Sequence, residues 1–247
     1  MPDRVFNFSP GPAVLPLSVL QQAQQELVSL PGVGMSILEI SHRSEAFDAI
    51  LAEATQSLRD LLGVPAGYHV LFLQGGASLQ FYMLAMNLLR GNERAADYIL
   101  TGTWGKKAID EARREGETRI VWDGKATNYN RLPKSEELKL NPGAAYVHYT
   151  DNETIQGVEF SSPPEVGNVP LVCDASSNFL SRPVPIDRYG LFYACAQKNA
   201  GPAGVTVVIV RDDLIQKAPQ NLPPILDYRQ FAANDSRYNT PPTFGIY

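Results

Sequence analysis

Cysteine is scarce in these 247 residues, and the two present, Cys173 and Cys195, lie inside apolar runs without metal-type spacing. That excludes a disulfide scaffold, and both read as reduced core residues of a cytosolic protein. Long hydrophobic runs are missing as well. The longest uncharged one, Leu79 to Leu89, falls well short of the ~20 residues that a membrane span needs. Asp3, Arg4, Asn7 and Pro10 interrupt the opening residues, so no secretory signal is expected. Positive charge is not in excess: the net charge is -5, and lysines and arginines are scattered singly or in pairs, which argues against nucleic acid and anionic membrane as partners. Neither GxGxxG nor GxxxxGK[ST] occurs, and there is no internal repeat or low-complexity segment.

What is present is a chain 44% hydrophobic, long enough for one sizeable core. Residues 1–15 carry three prolines and no helical period, and read as an extended arm; 16–247 read as one large domain. Leu17, Leu20, Leu27 and Val28 predict a helix from about Pro16 to Pro31-Gly32. A second helix is marked by Phe47, Ile50, Leu51, Ala54, Leu58, Leu61 and Leu62 on one face, with Ser44 as N-cap, Glu45 and Asp48 in the first turn, and Gly63 just past the end. Tyr68 to Leu73 reads as a strand that breaks at Gly75-Gly76-Ala77-Ser78 before a helix, apolar nearly all round, over Leu79 to Leu89. Further strands are expected at 98–100, 119–122, 144–149, 171–174, 191–196 and 205–210, with a helix from about Lys106 to Glu115. Such alternation, with continuous apolar strands, predicts an α/β fold: a mostly parallel central sheet covered by helices on both faces.

Lys198 sits in Ala196-Gln197-Lys198-Asn199-Ala200-Gly201-Pro202, a turn between two apolar strand runs. A buried ammonium loses stability relative to the amine, and a neutral amine can hold a carbonyl as a Schiff base; a surface lysine on a hairpin is the plainer alternative. Gly75-Gly76-Ala77-Ser78, between strand and helix, offers free N–H groups and the positive helix end to a phosphate, though glycine pairs also serve simply as turns. Asp174 ends an apolar strand, where an acid needs a cation or donors; an Asx turn or helix cap through Ala175-Ser176-Ser177 is the alternative. It precedes Lys198 by 24 residues with one strand between, which puts both at equivalent strand ends if the crossover is parallel. A phosphate anchor, a carboxylate and an amine in that order match what pyridoxal phosphate requires. His69 and His148 fall in strand patterns and read as structural.

With these stand Phe6-Asn7-Phe8-Ser9-Pro10-Gly11-Pro12, Ser41-His42-Arg43, Gly102-Thr103-Trp104, Asn152-Glu153-Thr154-Ile155, Ser181-Arg182-Pro183 and Asn239-Thr240-Pro241-Pro242-Thr243. On these stretches the chain resembles the phosphoserine aminotransferase family of class V, fold type I pyridoxal-phosphate enzymes. The resemblance implies that Lys198 binds pyridoxal 5'-phosphate covalently and shuttles a proton, and that Asp174 keeps the pyridine nitrogen protonated. Trp104, set among what read as loop residues, stacks on the ring. Thr154 donates to the phenolic oxygen, and Ala77, Ser78 and Gln197 hold the phosphate. It further implies a homodimer in which Asn239 and Thr240 reach the neighbouring subunit's cofactor, and His42 and Arg43 as substrate contacts. No metal is implied. The expected activity is amino transfer between L-glutamate and 3-phosphohydroxypyruvate, giving O-phospho-L-serine and 2-oxoglutarate in serine biosynthesis, with pyridoxine biosynthesis as a second bacterial role. The family continues into a small C-terminal domain with more substrate contacts. Unless a separate piece supplies it, cofactor binding is expected to survive while transamination is crippled. Another class V activity is the other enzymatic reading; its desulfurase branch needs a mobile nucleophilic cysteine, which neither strand-borne cysteine suits.

Overall fold

The computed structural model describes residues 4–247, so the first three residues of the expected 1–15 arm lie outside the described residues. From Arg4 to Pro10 the chain is exposed and without helix or strand. In order, the elements are α1 (Leu17–Glu26), α2 (Glu45–Leu62), β1 (Tyr68–Leu73), α3 (Gly76–Leu88), β2 (Ala96–Leu100), α4 (Thr103–Ala112), β3 (Thr118–Asp123), β4 (Val147–Thr150), β5 (Asn152–Glu153), β6 (Val158–Glu159), β7 (Leu171–Asp174), β8 (Leu191–Cys195), β9 (Thr206–Arg211), α5 (Asp212–Ile215), α6 (Tyr228–Ala233) and α7 (Thr243–Ile246). Seven strands form one sheet in the order β1-β9-β8-β7-β4-β2-β3, while β5 and β6 make a separate hairpin. Only β9 runs against its neighbours; β8, β7, β4, β2 and β3 pair in parallel. The mostly parallel sheet read from the sequence is therefore the fold.

Period-2 alternation sends side chains to two cores. On one face Val70 and Phe72 of β1 pack with Val207 and Ile209 of β9 and with Phe47, Leu51, Leu58 and Leu62 of α2. On the other, Leu71, Leu73, Val208 and Val210 meet Phe81 and Leu84 of α3 and Ala108 and Ile109 of α4. The carboxyl ends of the parallel strands gather on one edge of this layered core, the place where open α/β sheets bind ligands.

Helix α2 follows the sequence closely. Ser44 accepts the Phe47 N–H at 3.3 Å, and Gly63 ends the helix at φ 60°. Elsewhere the bounds shift for identifiable reasons. Helix α1 stops at Glu26 rather than near Pro31, and none of its residues is buried, so no packing supports another turn. The Gly75-Ser78 break is itself the helix start: Gly75 takes φ 85° as N-cap, and α3 begins at Gly76. Helix α4 begins at Thr103, three residues before the expected start, which makes Trp104 a first-turn helix residue rather than a loop residue.

Candidate active site

Lys198 lies three residues beyond β8, on a turn tied by Ala196 N–H to Val205 O at 2.9 Å and by Gly201 N–H to Ala196 O at 2.8 Å. It is half-buried, less enclosed than its apolar flanks predict. Its Nζ donates to Thr154 Oγ1 and lies 5.3 Å from the centroid of the Trp104 ring. The N-terminal arm closes on it: Ala13 N–H donates to Gln197 O at 2.8 Å, and a Cβ on Gly11 would stand 3.2 Å from Lys198 Cγ.

Asp174, the last residue of β7, pairs in parallel register with Tyr193 of β8, so the acid and the lysine do sit at neighbouring strand ends. Only 3% of it is exposed. Its Oδ1 accepts from Ser176 N–H at 3.0 Å and Ser176 Oγ at 2.6 Å, and Ser176 Oγ in turn accepts Cys195 N–H at 3.1 Å. Oδ2 has no hydrogen-bond donor among the described residues. Burial pushes the Asp174 pKa upward; the Ser176 donors, and more weakly Lys198, pull against it. Keeping this carboxylate ionised therefore costs energy that a cation at Oδ2 would offset.

A cavity of about 330 Å³ joins these groups. Its walls come from the arm (Pro10, Gly11), the start of α3 (Gly75 to Ser78), Trp104, the β4 end and hairpin (Thr150, Asn152, Thr154), Asp174, Ser176 and Ser177, and Cys195, Gln197 and Lys198. The first-turn N–H groups of α3 have no intrahelical acceptor, and the N-cap Gly75 gives no side-chain bond, so they are available to an anion. Two buried polar atoms on residues of this wall, Trp104 Nε1 and Thr150 Oγ1, have no hydrogen-bond partner among the described residues. An aldehyde-bearing, phosphorylated aromatic cation fits this donor set: an amine, an acid with an open oxygen, an indole face and an anion cradle. No cluster of three or more His, Cys, Asp or Glu with metal-holding geometry occurs among the described residues.

The structure does not bring every expected residue here. Asn239 and Thr240 are exposed and line a different cavity of about 140 Å³ with Phe72, Leu73 and Gln74, where Gln74 Nε2 donates to Thr240 O at 2.8 Å. His42 and Arg43 occupy the turn before α2 and do not line the Lys198 cavity. His69 pairs with Asp212 at 2.8 Å. The Asx turn read from Ala175-Ser176-Ser177 forms, with Ser176 N–H and Oγ both donating to Asp174 Oδ1; sequence reasoning gave no role to Glu153, which is fully buried and accepts backbone N–H groups from Trp104 and Gly105. The signal for Glu153 existed: an acid beside the threonine that meets the lysine.

The profile of the Aminotransferase class-V family matches residues 5–247. A phosphoserine aminotransferase of Rhodopirellula baltica is 53% identical over 247 residues, all of this chain and 66% of that protein. Among solved structures, the phosphoserine aminotransferase of Bacillus circulans subsp. alkalophilus superposes with a TM-score of 0.96 at 51% identity, over 99% of this chain and 67% of that one. The pyridoxal-phosphate-bound phosphoserine aminotransferase of Trichomonas vaginalis gives 0.92 at 46% identity, over 99% of this chain and 72% of its own. The chain thus spans about two thirds of the length of the relatives it matches.

Proposed function

The chain belongs to the class-V aminotransferases, and from that premise we propose that it is the cofactor-binding part of a phosphoserine aminotransferase that works with pyridoxal 5'-phosphate. The reaction is reversible transfer of the amino group of L-glutamate to 3-phosphohydroxypyruvate, yielding 2-oxoglutarate and O-phospho-L-serine, in the cytoplasmic synthesis of serine. One observation carries the reading: Lys198 Nζ bonded to the Thr154 hydroxyl and 5.3 Å from the Trp104 ring, in the cavity that Asp174 also lines.

Pyridoxal phosphate, when bound, supplies a carbonyl that condenses with amines and a protonated ring that accepts the electron pair left at the substrate Cα. Lys198 would hold that carbonyl carbon through Nζ. With its amine free, Lys198 would move a proton at the substrate Cα. Asp174 would keep the ring nitrogen protonated through Oδ2, the oxygen Ser176 leaves open. Thr154 would donate to the phenolic oxygen, Trp104 would cover the ring, and Ala77 and Ser78 at the start of α3, with Gln197, would bind the phosphate. Asn239 and Thr240, and likewise His42 and Arg43, lie outside this cavity, so their roles at the cofactor phosphate and the substrate require a second copy of the chain. A homodimer is part of the proposal. Residues 16–247 form the large domain of this reading, and the described part of the arm, residues 4–15, meets it at Gln197.

Borohydride reduction of the cofactor-loaded protein, followed by peptide mapping, tests it. The label is expected on Lys198; a label on another lysine, or none, removes the proposal's basis. Because His42 and Arg43 stand outside the cavity, a second reading is cofactor binding without turnover. A cofactor absorbance band that forms but never shifts with glutamate or phosphoserine supports that second reading over the first.

A further inference from the structure

Helix α4 carries no cap of its own. Its N-cap is Gly102, without a side chain, and its first turn holds no acid. The caps arrive from the hairpin of β5 and β6. Glu153 Oε2 accepts the Trp104 N–H at 3.0 Å and Oε1 the Gly105 N–H at 2.9 Å. Gln156 Oε1 accepts the Thr103 N–H at 3.2 Å, and its Nε2 donates to Thr103 Oγ1 at 2.9 Å. A Cβ on Gly102 would stand 2.4 Å from Gln156 Oε1 and 2.6 Å from Glu153 Cδ, so the glycine is what admits these side chains.

Glu153 is fully buried, and burying a carboxylate is costly without donors. Two backbone N–H groups and the positive end of a helix supply them. Consecutive side chains of an extended segment point to opposite sides. While Glu153 turns to α4, its neighbour Thr154 meets Lys198 Nζ.

We propose that Glu153 is a positioning residue. It caps α4 from across the cavity wall and so locks the Trp104 backbone to the segment that carries Thr154, fixing the indole relative to the lysine. The inference rests on the reading that Trp104 lies against the cofactor, and the experiment separates the two.

The tryptophans are Trp104 and Trp122, so a Trp122→Phe background makes emission report Trp104 alone. In the cofactor-free protein, Glu153→Gln leaves one N–H facing an amide donor, and acrylamide quenching of Trp104 is expected to rise about twofold; cofactor affinity is expected to fall about tenfold, for the loss of one charge-assisted bond. Adding Glu153→Gln to Trp104→Leu is expected to cost no further affinity, because the glutamate acts through the tryptophan. Unchanged quenching in Glu153→Gln, or fully additive affinity losses, overturns the proposal. Full cofactor affinity in Trp104→Leu alone sinks the underlying reading instead, while the quenching result still decides the cap. Should Glu153→Gln fail to fold, Gln156→Leu removes the Thr103 bonds without touching a charge. Raised Trp104 quenching there supports the cross-wall cap, and quenching equal to the parent refutes it.

Discussion

Strands β4, β7 and β8 carry polar groups at two depths, and only one depth faces the cavity. At the strand ends stand Thr150 and Asp174; two residues before the end of β4, on the same face one layer down, stands His148, which the side chain of Tyr193, in register with Asp174, reaches from β8. Both layers are buried, with Asp174 3% exposed and His148 fully enclosed. Residue type alone would favour His148 as the acid–base group. Its ring instead stacks on Tyr98 at 4.9 Å between centroids, its Nε2 meets Tyr193 OH at 3.0 Å, and Tyr98 OH pairs with Tyr146 OH at 2.8 Å. Burial drives its pKa down to about 3, which leaves it neutral and sealed. Asp174 is also strained by burial, but one of its oxygens is open toward a cavity. An unspent hydrogen-bonding position on a cavity wall, more than the chemical type of the side chain, marks the working layer.

The largest expected effect breaks this comparison at Asp174. Asp174→Asn keeps the shape and removes the charge, so kcat is expected to fall about 10²–10³-fold, the scale of a lost electrostatic stabiliser. The cofactor-free protein is expected to be no less stable, because an ionised group held at a cost in the apolar wall has gone. A variant that keeps full turnover, measured with glutamate and 3-phosphohydroxypyruvate, refutes the assignment.

Ser176→Ala is the next in size. It deletes the Oγ donor to Asp174 and strands the Cys195 N–H, and cofactor affinity near neutral pH is expected to fall about tenfold. The sign with pH follows from the direction of the shift. Asp174 is raised by burial and held down by Ser176, so removing the donor raises it further. The ionised form then persists only at higher pH, and the acid limb of cofactor binding moves upward. Titrations of affinity against pH that give parent and variant the same limb deny Ser176 this role.

These residues were unequally legible in the sequence, and the reason is how far each side chain's partner lies along the chain. Helix α2 announces both its ends because its caps, Ser44 and Gly63, adjoin it. Asp174 and Lys198 were found because strand runs and turn residues flank them directly. Helix α4 begins three residues before the position its local pattern predicts because its caps, Glu153 and Gln156, lie 48 to 53 residues downstream, beyond the reach of that pattern. Helix α1 ends before its pattern predicts because four apolar residues imply a buried face that the fold does not bury. His42 and Arg43 stood out as a pair, yet a pair in a turn says nothing about which cavity it meets.

The smallest effect on chemistry, and the sharpest test of the comparison, lies one layer down. His148→Phe preserves the stack on Tyr98 but leaves Tyr193 OH without its partner, so the fold is expected to lose about 1–3 kcal/mol. Turnover should stay within about twofold of the parent, since nothing at the cavity moves. In the parent, a histidine held at about 3 instead of its ordinary 6.5 takes up its proton more readily when unfolded, so stability declines as pH falls from 6.5 toward 3. Chemical denaturation across that window should show a shallower decline in His148→Phe. If instead kcat collapses while stability holds, the sealed layer takes part in the chemistry and the distinction between the two depths fails.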